Sequence, residues 1–223
     1  SQPAPIIAVY DFPDLTGQRK SNSTYALFSS AVTMDPAALL IRSFKHAGDG
    51  TFFRIVERKG LDHLTKERQL IRSTRNSLNE KTEVLPLLFA GLLIEGGVIG
   101  YDTNLRTGGI GARYLGVGAQ KQYREDTVTI SLRSVSVSSG EVLMEILVTK
   151  TILSVGVSQD VFRFIELGTE LVEVENGVTK NESVTIALQK ALETGVLEFI
   201  YEGEKKGYWE TVPMGNINEI SGS

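Results

Sequence analysis

The 223 residues carry 23 Lys and Arg against 27 Asp and Glu, a formal net charge of −4, with 41% hydrophobic residues and no cysteine. That length suits one domain, with or without an elaboration, and allows a sizeable core. Lack of cysteine excludes disulfides, thiolate zinc sites and cysteine nucleophiles, and scattered basic residues give no support for nucleic-acid binding. No apolar run approaches the ~18 residues of a transmembrane helix, whereas membrane β-strands, which alternate, are not excluded.

SQPAPIIAVYDF does not read as a secretory signal but as the start of a mature or trimmed chain. Ile6 to Phe12 predicts a short buried strand that Pro13 ends. The polar, turn-rich loop from Asp14 to Val32 follows, with Tyr25, Leu27 and Phe28 in its middle; loops of this length are usually functional or disordered. Asp35 and Pro36 predict an N-cap and first helical residue, for a helix through about Ala47. Thr51 to Glu57 predicts a strand. Leu61 to Arg75 predicts a helix with Leu61, Leu64, Leu70 and Ile71 on one face, and a short helix is expected near Leu85 to Ala90. Leu92 to Tyr101 is a strand running into a glycine-rich stretch. Beyond it Val128, Ile130 and Leu132 alternate with polar residues, and the phase then changes to Val135 and Val137, which predicts a bulge near Ser134. Ser138, Ser139 and Gly140 make a turn, Glu141 to Ser154 returns as a long strand, and a helix is expected from Asn181 or Ser183 to about Phe199.

Two stretches suit neither a soluble core nor a linker. Tyr101 to Tyr123 holds five glycines, which weaken an ordinary strand. Apolar or small residues recur at every second position, Ile110, Ala112, Tyr114 and then Leu115, Val117, Ala119, as in a membrane β-hairpin; a glycine-rich surface loop is the alternative. Val155 to Val178 repeats the pattern, with Val155 and Val157 going in, Phe162 and Phe164 at the expected tip, and Val172, Val174 and Val178 coming back. Glu173 and Glu175 lie on the opposite face of that return. Each leg is near the ~9–11 residues of a tilted spanning strand. Four spanning strands cannot close a barrel, and an open edge in lipid leaves backbone groups unsatisfied at several kcal/mol each. Such a chain therefore enters a membrane only as part of a homo-oligomeric ring.

Chemistry is thin elsewhere. After Gly109 and Gly111 the third place of a dinucleotide G-x-G-x-x-G is Tyr114, after Gly116 and Gly118 it is Lys121, and no phosphate-loop motif occurs. His63 and Glu67 sit four apart on a predicted helix, a spacing open to a metal, but a solvated face explains them without further ligands. No nucleophile elbow is present, so no catalytic residue, cofactor or metal is expected.

The segments VERKGLDHLTKERQLIR (56–72), EGGVIGYDTN (95–104), GGIGARYLGVGA (108–119), SSGEVL (138–143), KTILS (150–154), VFRFIE (161–166) and ALETGV (191–196) resemble, in order and through almost the whole chain, the CsgG family of curli secretion channels. The resemblance implies an α/β periplasmic domain (about 1–103, 124–154 and 180–223) with two extruded transmembrane β-hairpins (about 104–123 and 155–179). Nine subunits would jointly form one large barrel in the bacterial outer membrane. It implies ATP-independent export of unfolded curli-type amyloid subunits, with periplasmic and extracellular accessory factors and outer-membrane lipid as further partners. The loop at about 14–32 would line the pore constriction. Phe28 falls in the family's phenylalanine place because FSSAV follows it; Ala26 or Leu27 replaces the family's asparagine, and the tyrosine place falls near Asn22 unless Tyr25 serves instead. The resemblance places Gln120, Glu173 and Glu175 in the lumen; Gln120 and Gly156 stand where the family has carboxylates, which implies a less negative wall. Tyr114, Phe162 and Phe164 are expected at the membrane-interface tips. The family's mature chain starts at a lipid-modified cysteine; with Ser1 first here, that anchor is expected to have been removed or its cysteine replaced. The alternative is a soluble periplasmic adaptor or regulatory lipoprotein that shares the α/β domain and uses its hairpins as interaction arms.

Overall fold

Ile7, Ala8 and Val9 are buried on both faces, as a continuous apolar run requires when it lies between parallel neighbours. In the computed structural model, which describes residues 3–16, 35–156, 162–167, 174–177 and 182–210, this run is β1 (Ile6–Val9). It pairs in parallel with β2 (Arg54–Val56) on one side and β3 (Leu92–Thr107) on the other. Antiparallel pairing continues through β4 (Gln122–Ser136), β5 (Val142–Gly156), β6 (Phe162–Leu167) and β7 (Val174–Gly177), a seven-stranded sheet in the order β2-β1-β3-β4-β5-β6-β7.

One face of the sheet carries two helices. In α1 (Pro36–His46), Asp35 caps the N-terminus, its Oδ1 accepting from the Ala38 N–H at 3.1 Å, and Pro36 supplies the first turn without a wasted donor, as expected from the sequence. The long α4 (Glu182–Lys205) buries Ala187, Leu188, Ala191, Leu192, Val196 and Phe199, an i, i+3/i+4 stripe laid over β4 and β5. Gly195 allows the close approach: a Cβ there would stand 3.2 Å from Ile130 Cδ1. Between the helices and β2 lies an aromatic cluster, with Phe44 edge-on to Phe53 at 5.3 Å and to Phe199 at 5.4 Å.

The bulge expected near Ser134 is present, as a register shift between Ser134 and Val135 against β5, and a second falls between Val98 and Gly100 against β4. The helix expected at Leu85 to Ala90 does not form. Pro86 disfavours helical geometry at Leu85. Arginines take the carbonyls instead: Arg75 donates to Glu83 O at 2.9 Å, Arg68 to Leu85 O at 2.6 Å and Arg58 to Leu88 O at 2.8 Å. Helix α2 (Leu61–Ser77) forms where expected, but its apolar positions find no core. None of its side chains is buried, and Leu70 and Ile71 stay open to solvent beside Leu85 and Phe89.

Candidate functional site: the roots of the two hairpins

The loop expected to line a constriction lies outside the described residues, and with it Asn22, Tyr25 and Phe28; what the structure gives is its two ends. At the near end, Leu15 N–H donates to Val98 O at 2.8 Å and Val98 N–H to Pro13 O at 3.0 Å, beside the bulge in β3. Asp14 Oδ1 accepts from Thr16 N–H at 2.9 Å and Thr16 Oγ1 at 2.6 Å, an Asx turn. At the far end Asp35 caps α1 and takes the Lys59 ammonium at 2.7 Å, a bond that holds its carboxyl below the usual carboxylate range. The loop is therefore anchored to β3 on one side and to α1 on the other.

The first hairpin differs from the uniform pair of strands expected over 104–123. Its legs are strands, to Thr107 and from Gln122, in continuous register from Tyr101↔Val128 to Thr107↔Gln122. Between them the chain forms α3 (Gly109–Leu115), closed by Gly116 in the left-handed conformation (φ 65°). Helical geometry replaces the period of two, so Ala112 and Leu115 turn inward while Ile110 and Tyr114 stay exposed. The inward pair packs with Tyr123, Leu153, Val155 and Ile165, on the sheet face opposite α4. Among the described residues it is α3 that covers this apolar face of β5 and β6. Tyr114 is thus exposed on α3, and Gln120 is exposed in the turn that follows it.

Phe162 and Phe164, expected at the second hairpin's tip, both lie in β6 of the single chain, where Phe164 pairs with Ser154 and Phe162 with Gly156. Phe164 is 1% exposed and belongs to the main core. Phe164 and Glu166 are buried on one face of β6, and Ile165 on the other packs with α3. Glu175 is in β7, opposite Phe164, and Glu173 lies outside the described residues. His63 and Glu67 are both on α2, and among the described residues no group of three or more metal-ligating side chains forms. Among the described residues no helix is long and apolar enough to cross a membrane, which says nothing of β-strands.

Where the first hairpin leaves the domain, the structure brings together polar residues that the sequence reading did not single out. Asp126, fully buried, accepts from Tyr101 Oη at 3.0 Å, from Arg124 Nε at 2.9 Å and from Ser183 Oγ at 2.5 Å. Arg124 also donates to Tyr101 Oη and to Thr103 Oγ1, each at 3.0 Å. Burial, reinforced by the Asp126 charge, pushes the Tyr101 phenol up, so it remains a donor. In the same cross-strand row, Asp126 pairs with Ile152 and Ile152 with Glu166, whose carboxylate takes the Lys150 ammonium at 2.7 Å. The signal was there: Asp126 is in phase with Val128, Ile130 and Leu132, and Lys150 with Ile146, Val148 and Ile152, charges on a stripe otherwise bound for the core.

The sequence comparisons agree on one family. A family model described as "Curli production assembly/transport component CsgG" matches residues 1–216. The CsgG components of Salmonella typhimurium and Escherichia coli K12 are each 40% identical over 216 residues, covering 93% of this chain and 76% of theirs. The chain belongs to the CsgG family. A Citrobacter koseri CsgG component is likewise 40% identical over 209 residues, 92% of this chain and 74% of its own. This CsgG-family chain also overlaps a dodecamer of PelC from Paraburkholderia phytofirmans at 12% identity, over 85% of this chain and 86% of that one. The TM-score of 0.32 is too low to carry an argument. Family membership makes the protein a curli production assembly or transport component, with the mixed α/β fold described above.

Proposed function

We propose that this protein is the subunit of an outer-membrane, ATP-independent export channel for unfolded curli-type amyloid subunits. The CsgG match through residues 1–216 carries the proposal. Three features of the chain support it physically. Among the described residues its sheet ends at β7 with no further strand beside it. Its hairpin strands offer one apolar face, Tyr123, Leu153, Val155 and Ile165, that a bilayer accepts as well as α3 does. And α2, with Leu70 and Leu78 uncovered, offers neighbouring copies an apolar contact.

In this proposal nine copies form a ring. The segments 104–123 and 155–179 leave their resting places and extend as spanning hairpins, since only a closed barrel satisfies every backbone group in lipid. Tyr114 then marks the interface, and Gln120, Glu173 and Glu175 face water. Periplasmic and extracellular accessory factors of curli biogenesis are the further partners. Phe28, with Tyr25 or Asn22, lines the constriction: a ring repeats one aromatic per chain into an apolar hoop, which offers an unfolded chain transient contacts and excludes folded ones by size. Transport energy comes from the cargo and its trapping outside.

The test is conductance in a planar bilayer, with the mass of the intact complex measured on the same preparation. Phe28→Ala is expected to raise conductance while leaving ring assembly intact. A monomer or dimer under conditions where the barrel is folded would refute the ring, and unaltered conductance in stable rings of Phe28→Ala and Tyr25→Ala would place the constriction elsewhere.

A further inference from the structure

Asp126 sits three residues after Tyr123, at the point where the returning leg of the first hairpin re-enters the domain. Its partners come from three directions. Tyr101 is on β3, where the outgoing leg departs, Arg124 is on β4 beside it, and Ser183 is the second residue of α4. Helix α4 follows β7 after residues 178–181, and β7 is the last strand of the second hairpin. From Gly177 to Ser183 the chain reaches at most about 20 Å when fully extended. Three strand spacings, about 14 Å, separate β7 from β4 in the sheet. A large displacement of β7 therefore pulls on Ser183, and Ser183 holds Asp126.

We propose that Asp126 ties the root of the first hairpin to the start of α4, so that the two hairpins are seated and released as one unit. The proposal rests on the channel reading for its purpose, but the tie itself is a property of the single chain. A buried carboxylate suits the role. It accepts from all three partners at once, and losing any one of them leaves a desolvated charge short of a donor, which is costlier than the bond's net worth. Tyr101 makes the arrangement cooperative, accepting from Arg124 while it donates to Asp126. The Lys150–Glu166 pair in the same cross-strand row places a second buried charge pair between β5 and β6, at the root of the second hairpin.

Hydrogen exchange on the full chain tests the tie, because local opening is read segment by segment. Ser183→Ala removes one hydroxyl from α4 and touches neither β3 nor β4 covalently. The expected result is exchange about tenfold faster at 101–107 and 122–126 as well as in the first turn of α4, from loss of a bond to a charged group. Amides of Ile7–Val9 and Leu40–Phe44 should be unchanged. Ser183→Thr, which keeps the hydroxyl, should restore protection at both places. Asp126→Asn should reproduce the pattern, and Ser183→Ala added to it should change exchange less than about twofold, as coupled residues require. An effect of Ser183→Ala that stops at the first turn of α4, or that spreads equally to β1 and α1, overturns the tie. In reconstituted rings, Ser183→Ala should broaden the conductance into several levels; a single wild-type level overturns the positioning role. Absence of any pore from the wild-type chain, with coupled exchange intact, refutes the channel reading alone.

Discussion

Replacing Gly111 by alanine tests whether α3 is docked on the sheet or merely helical. An undocked helix gains from the change, since alanine is favoured over glycine in a helix interior by about 0.8–1.0 kcal/mol. A docked one does not. A Cβ at 111 would lie 2.5 Å from Tyr123 Oη and 2.6 Å from its Cζ, against the roughly 3.5–4.0 Å of an ordinary contact. The Tyr123 ring is 6% exposed and donates to Gly108 O at 3.1 Å, so it has no free space to retreat into. Overpacking of this kind costs about 1–3 kcal/mol, which leaves a net loss of about 1 kcal/mol after the propensity gain. The seven residues of α3 are too few to be stable alone, and full burial of Leu115 contributes only about 1.5–3 kcal/mol to holding them down. The expected outcome of Gly111→Ala is therefore exchange several-fold faster at 109–115, with the melting of the domain little changed. In a Tyr123→Ala background the obstruction is gone, and the same substitution should slow exchange instead. Slower exchange from Gly111→Ala in the wild-type background would refute the docking of α3.

Asp35→Ala should lower stability by about 1 kcal/mol at neutral pH, as loss of an N-cap does, with little from the half-exposed Lys59 pair. Because Lys59 holds the Asp35 carboxyl low, its contribution is complete above the ordinary carboxylate value and is lost as pH falls through the depressed one. Denaturant melts of wild type and variant should converge only in that acid range. Ile110→Asp and Val174→Asp should block membrane insertion, measured by flotation with vesicles, whereas Gln120→Asp should not, since only the first two place a charge against lipid in the extended hairpins. Equal behaviour of the two sets would overturn that facing. Gly203→Ala should destabilise the whole domain by about 1–3 kcal/mol in thermal melts, because its Cβ would run into the ring of Trp209, which is buried and donates to Ile200 O at 2.8 Å.

What the sequence determined by itself is whatever depends on near neighbours along the chain. Asp35 followed by Pro36 fixed the start of α1, because a cap and its N–H partner are three residues apart. The alternation of Val128, Ile130 and Leu132 fixed which face of β4 is buried, a phase that continues through Ser134 past the register shift, where Leu143 of β5 is the extra residue. Ordered segments from 56–72 to 191–196 were enough to place the chain in its family. Only the tertiary structure decided the rest. The sequence period of two around Ile110 fits a spanning strand, yet in the single chain Leu115 and Ala112 gain more by turning helical and covering Leu153, Val155 and Ile165. Phe164 reads as a tip aromatic, and only the assembled sheet places it beside Ser154 in β6 and buries it in the main core of the single chain. The Asp126 cluster adds Tyr101 and Ser183, 25 and 57 residues away, separations at which no local rule relates a carboxylate to its donors. Burial is a property of the assembled sheet, and the same apolar face can be satisfied by a helix of its own chain or by surroundings the chain does not encode.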